Sequence, residues 1–141
     1  MTAKEYLSQY RYINININSK IAQQQRLREL VTCVSPSSEG GGHSGVSDKV
    51  GSIVAKIADL DAEINAEIDK LVDVQRDILQ TIGKVDNECL RTILTERYIN
   101  CWTFEQIADD IHYSYKQTCR LHGKALIKVK NVLECPIMSV V

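Results

Sequence analysis

Long apolar runs are missing from this chain. No stretch holds more than a few apolar residues in a row, far short of the roughly 20 needed to cross a bilayer, so a membrane-spanning helix is not expected. The first residues, MTAKEYLSQY, lack the apolar centre of a secretory signal. Cys33, Cys89, Cys101, Cys119 and Cys135 are odd in number and include no Cys-x-x-Cys pair, which points away from a disulfide framework and towards a reducing cytoplasm. Catalytic signatures are missing too. None of the three histidines, His43, His112 and His122, stands at a recognisable spacing from a nucleophile, and no Gly-x4-Gly-Lys phosphate loop occurs. The Gly-rich stretch GGHSG does not fit Gly-x-Ser-x-Gly, because Ser44 is followed directly by Gly45. No catalytic residue, metal site or cofactor is expected, and an enzyme is disfavoured.

One kind of charge is missing from one place. Between Ile111 and Asn131 there is no acid, whereas Lys116, Arg120, Lys124, Lys128 and Lys130 all fall there. The whole chain carries a formal charge of -1, with nine bases against eleven acids over residues 1–83 and eight against seven over 84–141. These sums hide the segregation. An unopposed basic segment suggests a surface that faces a polyanion.

Periodicity indicates an all-α chain. From Ala3 to Val31 the residues Tyr6, Tyr10, Ile13, Ile17, Ile21, Leu27 and Val31 recur mostly at spacings of three and four with no Gly or Pro between them, which predicts one helix. The alternation in YINININ looks locally like a strand, but the wider window outweighs it, leaving Ile15 off the stripe. Residues 32–48, TCVSPSSEGGGHSGVSD, have no period and read as a loop. From Asp48 to about Ile82 a heptad-like seam runs through Val50, Ile53, Ile57, Leu60, Ile64, Leu71, Val74 and Ile78, broken at Glu67. The two helices would be rods of roughly 43 and 50 Å. Neither can bury its stripe alone, so the economical arrangement over residues 1–83 is a long antiparallel helical hairpin resembling a coiled coil. Val54, Ile68 and Ile82 form a second apolar edge that suggests a homodimer through the hairpin. The carboxylates crowding the second rod, including Glu63 and Glu67 at i, i+4, lack the Glu-x-x-His partners of a di-iron bundle and read as a solvated face.

Residues 84–135 read as a tri-helical domain. Gly83 closes the long helix, and Asp86 is a candidate N-cap for a helix carrying Leu90, Ile93, Leu94 and Tyr98. Asn100 and Cys101 fall at a turn, although Cys89 and Cys101 also read as small core residues. Thr103 with Gln106 makes a capping box for a short helix, and Ser114 with Gln117 makes another for the last one. The pair is joined by a turn at Ile111, His112 and Tyr113, with His112 at the position that favours a left-handed backbone. Ala108 is the small residue that lets the two helices cross closely, surrounded by Ile107, Ile111, Tyr113, Thr118 and Leu121. Thr118, Leu121 and Ala125 face inward, so Tyr115, Lys116, Gln117, Arg120, His122 and Lys124 share the other face. That is the spacing of a helix-turn-helix, with double-stranded DNA as its partner. The N-terminus of the last helix at Ser114 and Tyr115 offers free N–H groups to a phosphate. The plainer alternative is a solvated basic helix in an ordinary three-helix bundle. Trp102 and Phe104 read as core anchors, and Pro136 ends the last helix before a tail over 136–141. Gly123, inside that helix, costs about 1 kcal/mol relative to Ala for no evident reason.

These residues carry a resemblance. LRTILTERYINCWTFEQIADDIHYSYKQTCRLHGKALIKVK resembles region 4 of the sigma-70 family of bacterial sigma factors, with Arg97-Tyr98, Thr103 to Ala108 and Lys124 to Lys128 matching its pattern. The whole chain is similar to small prophage-encoded proteins, which in turn resemble the ArpU and RinA types of phage late-gene regulator. The resemblance implies that Tyr115, Lys116 and Arg120 read base edges, with Gln117, Lys124 and Lys128 near phosphates. It also implies RNA polymerase as a second partner and a bacterial host's cytoplasm as the location. Sigma factors often have arginine where this chain has Tyr115 and Cys119, so base preference does not carry over. The promoter-melting region 2 is missing, which excludes a complete sigma factor.

The first reading is therefore a phage-type transcriptional regulator that binds promoter DNA. The alternative is a phage assembly or packaging adaptor, similar to a small terminase subunit, or a protein-interaction module acting through the apolar tail CPIMSVV. A large ring of subunits would favour packaging, and a monomer or dimer the regulator.

Overall fold

The computed structural model describes residues 1–34 and 44–134, and among them every regular element is helical. The chain is all-α. Its elements are α1 (Ala3–Val34), α2 (Ser44–Gly83), α3 (Glu88–Leu94), α4 (Phe104–Ile111) and α5 (Tyr115–Glu134), with a π turn at Thr95–Ile99 continuing α3. The segment that looked like a strand lies within α1. Both long helices run further than expected into the Ser/Gly-rich segment, α1 to Val34 and α2 from Ser44 rather than Asp48. The rest of that loop, Pro136 and the tail fall outside the described residues. No described helix is long and apolar enough to cross a membrane.

The chain divides into two compact units, one of Met1–Tyr12 with Leu71–Val141 and the other of Ile13–Lys70. The division runs through both long helices instead of at residue 83. Its physical reason is the core of the first unit: Ala3, Leu7, Ile78, Ile82 and Val85 share one apolar cluster with Leu90, Leu94, Tyr98, Ala125 and Val129. The first turns of α1 and the last turns of α2 therefore belong with the C-terminal helices. Tyr6 adds a polar tie, its hydroxyl donating to Asp77 Oδ2 at 2.6 Å and sharing a 2.9 Å bond with Thr81 Oγ1. Burial first, then the bond to Asp77, pushes its pKa up to about 12. Ile82 is 3 % exposed and so does not belong to an outer apolar edge, as its spacing had suggested.

In the second unit Ile13, Ile17 and Ile64 are buried and so is Gln24, which is 4 % exposed. Gln24 Nε2 donates to the Ile57 carbonyl at 3.0 Å and to Asp61 Oδ1 at 2.6 Å. Ile21, assigned to the stripe from its spacing, is exposed, as is Ile15. Glu67 keeps its place in the α2 seam, half-buried, while Ile68 beside it is exposed.

Local chemistry sets the helix boundaries at the C-terminal end. Asn87, not Asp86, caps α3, with its Oδ1 accepting from Leu90 N at 3.1 Å. The π turn closes with Asn100 N donating to the Thr95 carbonyl at 3.1 Å, and Trp102 N donating to that of Glu96 at 3.0 Å. Cys101 then takes a left-handed backbone at φ 60° and is exposed, so it is a turn residue and not a core one. Thr103 and Gln106 form the expected capping box at 3.2 and 2.8 Å. Helix α4 ends at His112, whose φ of 61° lies in the left-handed region, and Tyr113 N reaches back to the Ala108 carbonyl at 3.0 Å. Helices α4 and α3 both pack on α5.

Candidate nucleic-acid interface

Three residues, His112 to Ser114, separate α4 from α5. Ser114 caps it, its Oγ accepting from Gln117 N at 3.1 Å and its carbonyl from both Thr118 N and Thr118 Oγ1 at 2.9 Å. These bonds fix which way the helix faces. Thr118, Ala125 and Val129 are fully buried, and Leu121 is half-buried beside them. Ile107 and Ala108 of α4 are buried as well. Tyr113, assigned to the same apolar set, is instead 42 % exposed.

The opposite face is open. Ser114, Tyr115, Lys116, Gln117, Arg120, Lys124 and Lys128 are all exposed. Among the described residues none of these bases makes an ion pair. Lys116, Arg120, Lys124 and Lys128 stand at successive i, i+4 positions, about 6 Å apart along the axis. Such a row presents donors along one helix with no neighbouring acid in sequence from Ile111 to Asn131. The Tyr115 hydroxyl has its pKa raised, first by a hydrogen bond with Cys119 on the next turn, so it stays a neutral phenol.

His122 departs from the expected set. It is not on the open face: its ring is half-buried, its Nε2 shares a 2.7 Å hydrogen bond with the Tyr98 hydroxyl, and it stacks on Tyr98 with centroids 5.7 Å apart. The edge of Phe104 meets it at 4.9 Å. Burial, then the charges of Arg97 and Lys4, lowers its pKa to about 4. A neutral, packed imidazole brings no positive charge to a phosphate at neutral pH. Helical spacing itself accounts for this, since His122 follows the buried Thr118 by four residues and precedes the buried Ala125 by three, which puts it on the inward stripe and not with the bases.

The same cluster holds residues that spacing did not single out for this role. Arg97 lies over the Phe104 ring at 4.3 Å and donates through Nη1 to the Trp102 carbonyl at 2.9 Å, tying the π turn to the start of α4. Glu96 is buried at 7 % exposure, and its Oε2 has no hydrogen-bond partner. Burial first, and Asp110 second, pushes its pKa up to about 7. A carboxyl in an apolar stripe gives no sequence signal of its own. An open cavity of about 450 Å³ lies between α3 and α5, lined by Asp86, Asn87, Leu90, Lys124, Ile127 and Lys128. No group of three or more metal-binding side chains occurs among the described residues.

Comparison with family models, curated proteins and solved structures finds no match for this chain.

Proposed function

We propose that this chain is a phage-type transcriptional regulator that binds promoter DNA through α4 and α5. In this reading they form a helix-turn-helix of sigma region 4 kind, with α5 in the major groove. One observation carries it: the outer face of α5 is exposed, basic and free of ion pairs among the described residues, directly after a short capped helix and a three-residue turn. The buried Ala108 and the left-handed His112 support the close crossing that such a pair needs. RNA polymerase is the proposed second partner. Within each unit the hydrogen bonds between α1 and α2 favour an antiparallel hairpin: Tyr6 with Asp77 and Thr81 in one, Gln24 with Ile57 and Asp61 in the other. We also propose that the exposed Val54 and Ile68 of α2 pair two copies of the chain.

The test is DNA binding measured against salt. Neutralising four or five phosphates makes log K fall against log salt with a slope of about -4. Lys116→Ala should flatten the preference among duplexes, because it removes an edge reader, and Lys128→Ala should weaken all duplexes alike. Binding that is indifferent to salt, or no binding to any duplex, defeats the proposal.

A further inference from the structure

Gly123 sits inside α5, where a glycine weakens the helix, and nothing among the described residues asks for one there. A Cβ built on Gly123 meets no described atom beyond its own stretch of helix within 4 Å, and its backbone is not in the left-handed region. Neither crowding nor a turn explains it. Its position on the helix does suggest a role. Lys116, Gly123 and Lys130 follow one another at seven-residue spacing, with Arg120 three residues before the glycine and Ile127 four after, so all five share one side of α5. All five are exposed. Gly123 is therefore a notch in a ridge of long side chains, with a base on either side of it.

We infer that Gly123 is the point where the sugar-phosphate backbone of bound DNA closes on α5. The inference rests on the DNA reading above and adds a positioning residue to it. With no side chain at the notch, a strand can come against the helix backbone. Lys124 on one flank and Lys130 on the other then reach its phosphates without bending away. A methyl at position 123 leaves the fold untouched and holds the strand off. DNA affinity and helix stability should therefore move in opposite directions. Gly51 supplies an internal control, being exposed within α2 with no described atom beyond its own stretch of helix within 4 Å of its built Cβ.

The experiment compares the full-length chain with Gly123→Ala, Gly51→Ala and Lys116→Ala, using a fluorescein-labelled duplex enriched from random DNA by the native chain. Both glycine variants should melt about 3 °C higher than the native protein. Gly123→Ala should bind the duplex about tenfold more weakly, the scale of one lost charge-assisted hydrogen bond, and Gly51→Ala within about twofold of native. Gly123→Ala binding as tightly as native while Lys116→Ala loses affinity overturns this inference alone. A native chain that enriches and binds no duplex overturns the DNA reading and this inference together.

Discussion

At the scale of single residues, two buried titratable groups pull stability in opposite directions with pH. Glu96 has its pKa raised from 4.5 to about 7, mainly by burial and then by Asp110. As a carboxylate it leaves Oε2 buried with no donor, whereas a proton gives the carboxyl a donor that Asp110 can accept. Because the folded value lies above the unfolded one, its contribution is fully present below about 4.5 and is lost as pH rises through about 7. His122 is the reverse case: lowered from 6.5 to about 4, it contributes above 6.5 and loses that contribution as pH falls through about 4. The two slopes oppose each other between 4.5 and 6.5, so a raw melting curve against pH would hide both. Glu96→Gln separates them. It should match the native protein at about pH 4, below the unfolded value, and melt higher at pH 8, with a gap of roughly 3 kcal/mol at most. Identical pH profiles for the two proteins would show that the buried carboxyl does not titrate as described.

Among the helices, α4 is the one whose existence depends most on its caps. Eight residues are too few to hold a helix in water alone. The reciprocal bonds of Thr103 and Gln106 satisfy its first donors, and the left-handed His112 closes its other end. Thr103→Ala should therefore lower unfolding stability by about 1 kcal/mol, with Thr103→Ser restoring most of it. An unchanged denaturation midpoint for Thr103→Ala would show that tertiary packing alone sets α4. Caps of this kind were legible in the sequence because the chemistry spans only three residues, and the buried stripe of Leu90, Ile93, Leu94 and Tyr98 was legible because it is apolar and periodic. Gln24 was not. Spacing places it on the α1 stripe, but a polar side chain looks like a gap, and exposed Ile21 was read in its place. Only the partner helix, with the Ile57 carbonyl and Asp61, supplies the acceptors that make its burial tolerable. Of the candidate interface, the exposed bases could be read from helical spacing. The inward position of His122 was legible too, four residues after Thr118 and three before Ala125, but its Tyr98 and Phe104 partners and the stacking of Arg97 on Phe104 were not, because they bring together side chains from separate helices.

At the scale of the whole molecule, DNA binding and self-association should respond to salt with opposite signs. Val54 and Ile68 lie fourteen residues apart on α2 and are exposed, with Asp61 midway along the same line. A second copy pairing along that line covers little more than two apolar side chains, well under the roughly 1,000 Å² of a firm interface. Asp61 carries the same charge in both copies, and α2 adds Asp59, Glu63 and Asp69 nearby in sequence. The proposed dimer is thus held by a small apolar contact and opposed by acid against acid. Added salt screens the opposition, with a Debye length that shortens from about 10 Å at 0.1 M to about 3 Å at 1 M, while the same salt weakens phosphate binding. Light scattering at tens of micromolar protein should therefore show a mass that climbs towards two copies as salt is raised. Ile68→Lys should hold it at one copy throughout. A single-copy mass for the native chain at every salt concentration removes the dimer and leaves α5 to bind DNA as a monomer. A mass that falls with salt would mean that opposite charges, not Val54 and Ile68, hold the copies together.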